Sequence, residues 1–118
     1  AMSYVGSVGS PYLGIYPDLG NLTNASLLYG VPVPDDVRTG AGHIIAAHIK
    51  ETRPGEYRDV PFGSGHVDFP TVIEACWERG VRRYVTELWY QGSDAWRDNI
   101  RQAASLTPTI LGTLDQEA

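Results

Sequence analysis

Ile44-Ile45-Ala46-Ala47-His48 is a short apolar run that ends on a residue able to hold a metal ion. Two other runs repeat the pattern: Tyr12-Leu13-Gly14-Ile15-Tyr16-Pro17-Asp18 before it and Tyr84-Val85-Thr86-Glu87 after it. Each reads as a strand with an Asp, His or Glu at its carboxyl end. Helical patterns lie between them. The strongest starts at Asp68, a suitable N-cap, sets Phe69, Val72, Ile73, Cys76 and Trp77 on one stripe, and stops at Gly80. Strands alternating with helices predict an α/β fold with a parallel sheet and helices packed outside it. In such sheets ligands bind at the carboxyl ends of the strands.

Working outward, residues 2–10 read as the tail of a helix stopped by Pro11. The first strand runs to about Asp18 and a loop follows over Leu19–Asn24. Pro32, Pro34 and Asp35 prepare a short helical segment around 36–42, which Gly40 and Gly42 weaken. The second strand is predicted over 43–51, a long loop over 54–67, and the third strand over 82–90. Ser93 is predicted to cap a last helix that runs to Leu106, with Pro108 beyond its end and fraying over 109–118. The whole chain, 1–118, is expected to be one domain.

The bulk numbers narrow the function. At 118 residues, with 42% hydrophobic and 19% charged residues, the chain has the composition of a globular domain with one modest core. A net charge of -5 speaks against a broad surface for nucleic acid. The single Cys76 excludes a disulfide framework within the chain and fits a reducing, cytoplasmic setting. No stretch approaches the ~20 apolar residues of a membrane span, and Ala1–Ser10 lacks the charged start and apolar run of a signal peptide. Ala1 before Met2 reads as a cloning remnant.

Taken singly, Asp18 after Pro17 also suits a turn, and His48 also suits a satisfied core histidine. Glu87 sits in a strand that should be largely buried, where an unpartnered carboxylate is costly. Their shared place at strand ends favours a joint site: alternation along each strand lets all three converge at one mouth, His48 sharing its face with Ile44, Ala46 and Lys50. Two carboxylates and an imidazole suit Mn²⁺, Zn²⁺, Co²⁺ or Mg²⁺. The loop Arg58-Asp59-Val60-Pro61-Phe62-Gly63-Ser64-Gly65 frees backbone amides for an anion, with Arg58 or Lys50 adding positive charge. Trp89, Tyr16 and Tyr90 suit either stacking on a sugar or ordinary rim packing. No P-loop, CxxC or G-x-S-x-G motif is present.

The segments Tyr16-Pro17-Asp18-Leu19-Gly20-Asn21-Leu22, His48-Ile49-Lys50-Glu51-Thr52, Val60 to Phe69 and Glu87-Leu88-Trp89, taken in order, resemble the sugar-phosphate epimerases of the xylose-isomerase-like TIM-barrel superfamily. The likeness is to the L-xylulose/L-ribulose-5-phosphate 3-epimerases, also called hexulose-6-phosphate isomerases. It extends to about Gln102. It implies the C-terminal portion, about three strand-helix units, of a (β/α)8 barrel. It implies a divalent metal on Asp18, His48 and Glu87, with a fourth ligand, a Glu, from a preceding strand. Glu87 would also be a catalytic base, and Asn21, Lys50 and Arg58 substrate contacts. The implied reaction moves a proton next to the carbonyl of a phosphorylated ketopentose or ketohexose through a cis-enediolate. The family loop reads Gly-Glu-Gly where this chain has Gly63-Ser64-Gly65. A barrel needs about 250 residues, so the chain is expected to be a fragment, inactive or weak alone, that self-associates or joins a missing N-terminal half. The alternatives are an aldose-ketose isomerase of the same chemistry and a non-catalytic binding or assembly fragment.

Overall fold

The computed structural model describes residues 1–117. Seven named elements follow one another: α1 (Met2–Val8), α2 (Leu19–Tyr29), α3 (Val33–Thr39), β1 (Ala47–Ile49), α4 (Phe69–Glu78), β2 (Tyr84–Thr86) and α5 (Trp96–Glu117). The strands β1 and β2 pair in parallel, with Ala47 opposite Tyr84, His48 opposite Val85 and Ile49 opposite Thr86. On the other side of β1, the segment 15–18 adds two parallel bridges, Ile15 to Ile44 and Asp18 to His48. Three parallel segments therefore lie side by side in chain order, each followed by helix, as the alternating pattern predicts.

One irregularity in this sheet decides which way the site faces. The bridges are three residues apart on the first segment and four apart on the second. One extra residue is thus accommodated between Ile44 and His48, in the manner of a bulge. Ile44 packs against the core on the helix side, while Ile45 is 58% exposed on the opposite face. Strict alternation would have put Ile44 beside His48. The inserted residue instead leaves Ile44 under the helices and turns His48 to the open face. Tyr16 lies there too, its ring 4.2 Å from the imidazole of His48 and nearly parallel to it.

The core lies between the sheet and the helices. Ala47 and Ile49 of β1 meet Phe69, Val72, Ile73 and Cys76 of α4, together with Leu19, Val33, Val37, Phe62 and Val81. Helix α4 follows the sequence closely: Asp68 accepts from the Thr71 amide at 3.3 Å, Pro70 sits in the first turn, and the apolar stripe is buried.

Other elements differ from the sequence reading. The loop expected over 19–24 is the start of α2, which Asp18 caps and Gly30 ends in the left-handed conformation at φ 70°. Its apolar residues form no clean stripe, since Leu27, Leu28 and Tyr29 are exposed, so periodicity gave no sign of it. The short helix lies at 33–39 rather than 36–42. Only three residues of each of the second and third predicted strands form ladder. The last helix does not stop before Pro108 but runs through it. Ala103, Leu106, Thr107, Ile110, Leu111 and Leu114 keep one helical face, most of them packed on the core, while Pro108 is exposed. That packing outweighs the amide bond the proline removes. No helix among the described residues is long and apolar enough to cross a membrane.

Candidate metal centre

Asp18, His48 and Glu87 converge. Each ends one of the three parallel segments, and one ligand atom from each lies within 4.8 Å of the others. All three are partly buried. The Nδ1 of His48 is 3.6 Å from Oε2 of Glu87. Backbone pairing sets the spacing: the His48 amide donates to the Pro17 carbonyl at 2.8 Å, and the Glu87 amide donates to the Ile49 carbonyl at 2.9 Å. The donor set, two carboxylates and one imidazole, fits a divalent cation of hard to borderline character.

Each of the three side chains is held by a neighbour. Oδ1 of Asp18 accepts from the Asn21 amide at 2.8 Å, because Asp18 is also the N-cap of α2. Oε1 of Glu87 accepts from the indole Nε1 of Trp89 at 2.6 Å. The imidazole of His48 is stacked by Tyr16. Outer contacts of this kind fix the orientation of a ligand before any ion arrives.

Lys50 completes the cluster. Its side chain is 8% exposed, and its Nζ lies 3.2 Å from Oδ2 of Asp18 and 4.0 Å from Oε1 of Glu87. A buried ammonium needs such partners, and two carboxylates this close are relieved by the charge between them. Arg58 is exposed on the loop after β1, with its guanidinium 4.1 Å from the centre of the Trp89 ring. Lys50, Arg58 and Glu87 line one cleft with Glu51, Asp59 and Trp89. Asn21 stands apart: its backbone amide serves Asp18, but the residue is exposed in the first turn of α2 and does not line that cleft.

Two roles here were not read from the sequence: the hold of Trp89 on Glu87 and the burial of Glu51. The bond from Trp89 to Glu87 joins residues two apart just beyond a strand, a spacing that gives no warning of a bond between them. Glu51 offered a better signal. Charged neighbours at the end of a buried strand must leave it on opposite sides, so Lys50 and Glu51 each needed a partner of its own.

A parallel sheet backed by helices, with Asp, His and Glu brought together at its strand ends, defines a strand-helix protein with a candidate metal centre at the carboxyl edge. The xylose isomerase-like TIM barrel family matches residues 1–108. The chain belongs to that family. It is 35% identical over 95 residues to the L-ribulose-5-phosphate 3-epimerase UlaE of Salmonella paratyphi A, and equally to those of Escherichia coli K12 and Salmonella heidelberg. In each case the match takes in 80% of this chain and 32% of the relative. The chain thus spans about a third of the length of the curated relatives it matches.

Proposed function

We propose that this chain carries part of the active centre of a metal-dependent sugar-phosphate 3-epimerase. The convergence of Asp18, His48 and Glu87 within 4.8 Å supports the reading most directly. The likeness to L-ribulose-5-phosphate 3-epimerases suggests the substrate, a phosphorylated ketopentose. A divalent ion held by these three residues would polarise the oxygens of the ketose and make the neighbouring carbon acidic.

The chain's own residues supply several further roles. Glu87 is the base that takes the proton from the carbon beside the carbonyl. The Trp89 indole holds its Oε1, which keeps the carboxylate aimed while its other oxygen lies toward His48. Lys50, partly neutralised by Asp18 and Glu87, faces the negative charge that develops on the substrate oxygens. Arg58 meets the phosphate, and Asn21 contributes through its backbone amide, which holds Asp18. Epimerisation also needs a group that returns the proton on the opposite face. That group and a fourth ligand would come from outside these residues, and the three strand-helix units would be the C-terminal part of a barrel. The 118-residue chain alone is therefore expected to be inactive or weak.

Mn²⁺ titration of the wild-type chain and of Asp18→Ala and His48→Ala tests the centre. Saturable binding lost in both variants is expected, and equal binding in all three chains would remove the metal site. Incubation with L-ribulose 5-phosphate tests the second part: turnover at an ordinary enzymatic rate by this chain alone would show that no outside group is needed.

A further inference from the structure

Glu51 follows Lys50 at the end of β1, and the two leave the strand on opposite sides. Lys50 turns toward Asp18 and Glu87. Glu51 turns toward the loop 52–67 and is 2% exposed. Its carboxylate accepts three backbone amides, those of Thr52 and Val67 on Oε1 and that of Gly63 on Oε2, each at 3.1 Å. Donors of this kind are what make a buried carboxylate tolerable. They also tie the two ends of one loop to one side chain. Gly65 closes over the knot: a Cβ there would run into the Thr52 carbonyl and the Glu51 carboxyl group. Thr52 adds three further ties: its carbonyl accepts from the His66 amide at 2.9 Å, and its hydroxyl donates to the Gly20 carbonyl at 3.0 Å and meets Nε2 of His66 at 2.9 Å.

The middle of the loop is held nearer the surface, where Arg53 donates to the Ser64 carbonyl at 3.1 Å and Asn24 donates to the Glu56 carbonyl at 3.3 Å. Residues 53–59 are exposed, and Arg58 reaches from them to the face of Trp89, whose indole holds Glu87. The loop that Glu51 holds at its base therefore carries Arg58, whose ring partner Trp89 holds the candidate base.

We propose that Glu51 is a positioning residue that pins the loop 52–67 to the end of β1 and so presents Arg58 to the metal cleft as an anion contact. The anion part rests on the epimerase reading; the pinning of the loop does not. Glu51→Gln keeps the shape of the side chain but turns one acceptor into an N–H₂ group that opposes the loop amides.

In Glu51→Gln, amide exchange at Gly63 and Val67 and tryptic cleavage after Arg58 should each rise about 10-fold or more as the loop opens. The Arg53–Pro54 bond resists trypsin in either chain and serves as a control. Affinity for inorganic phosphate should fall about 10-fold with the loss of an ordered guanidinium. Affinity for Mn²⁺ should stay within about 3-fold, because its ligands lie on the other side of the strand. Arg58→Ala should lose phosphate affinity equally without changing exchange at Gly63 and Val67. Should Glu51→Gln lose its cooperative melt, Gly65→Ala, which pushes the loop away from an intact Glu51, should reproduce the same exchange, cleavage and phosphate effects. Unchanged exchange and cleavage would overturn the proposal. Faster exchange with undiminished phosphate affinity would reduce Glu51 to a purely structural residue and overturn it equally. A wild-type chain that binds no Mn²⁺ would count against the epimerase reading and leave the loop measurements as a valid test of Glu51.

Discussion

Replacing Asp18 should separate two roles that the structure gives one carboxylate. Oδ1 caps α2 through the Asn21 amide, and Oδ2 pairs with the nearly buried ammonium of Lys50. Losing an N-cap costs about 1 kcal/mol. Removing one partner of a buried ion pair costs roughly 3–5 kcal/mol. Here Glu87 remains 4.0 Å from Lys50, so about 1–2 kcal/mol is the appropriate share. Asp18→Ala should therefore destabilise the chain by about 2–3 kcal/mol, and with a urea m-value of about 1–2 kcal/mol/M its midpoint should fall by roughly 1–3 M. Asp18→Asn caps a helix as well as Asp does and still offers Lys50 a carbonyl, so it should lose only about 1 kcal/mol. Its Mn²⁺ affinity should nevertheless fall by at least about 100-fold, the loss that even outer contacts of metal ligands can produce. Adding Lys50→Met to Asp18→Ala should recover about 1 kcal/mol by removing the stranded charge. Urea unfolding followed by circular dichroism and Mn²⁺ titration read these effects separately. An Asp18→Asn variant that keeps wild-type Mn²⁺ affinity would refute the ligand assignment, and one as unstable as Asp18→Ala would refute the cap.

Three further outcomes are expected. Burial pushes the Cys76 thiol from 9.0 up to about 11, and it raises the Tyr84 phenol as well, with the nearby Cys76 charge as a second cause. Both groups are held neutral in the fold: the Cys76 contribution, roughly 2–3 kcal/mol, is complete below pH 9 and is lost as pH climbs to about 11, while that of Tyr84 is complete below pH 10 and falls only above it. Urea midpoints at pH 8 and pH 10.5 should show that fall, and equal midpoints would contradict it. Pro108→Ala restores an amide donor inside α5 and should stabilise the chain by about 1–3 kcal/mol, read as a rise of several degrees in melting temperature; a fall would mean the proline ring packs usefully. Ile45 and Val85, 58% and 48% exposed on the open face of the sheet, should drive self-association, and Val85→Lys should weaken it while changing monomer stability by no more than about 0.5 kcal/mol. Sedimentation of a purely monomeric wild-type chain would rule that out.

The residues that alternate between strand and helix were legible because burial imposed a period on them. Helix α4 has its cap, its stripe and its glycine stop in plain view. The convergence of Asp18, His48 and Glu87 was legible because an Asp, Glu or His closing an apolar run is conspicuous. Helix α2 was not, since its Asn, Thr and Ser residues read as loop and its apolar side chains are scattered around it. The length of α5 was hidden by Pro108, a local signal that packing of Ile110, Leu111 and Leu114 overrides. The partners of Lys50 were out of reach as well. They come from the ends of the two flanking segments, and only the sheet order brings them to one ammonium.

The single residue accommodated between Ile44 and His48 sets a rule for how this sequence can change. Deleting it would leave Ile44 and His48 three residues apart, as Ile15 and Asp18 are, and plain alternation would then keep His48 and Lys50 on the open face and Ala47 and Ile49 under the helices. The two faces are therefore the same with the extra residue or without it, as long as the strand absorbs it as a bulge. A relative one residue shorter at this place would still bring its histidine to the Asp18 and Glu87 positions, so an alignment gap of one there is no sign that the cluster is lost.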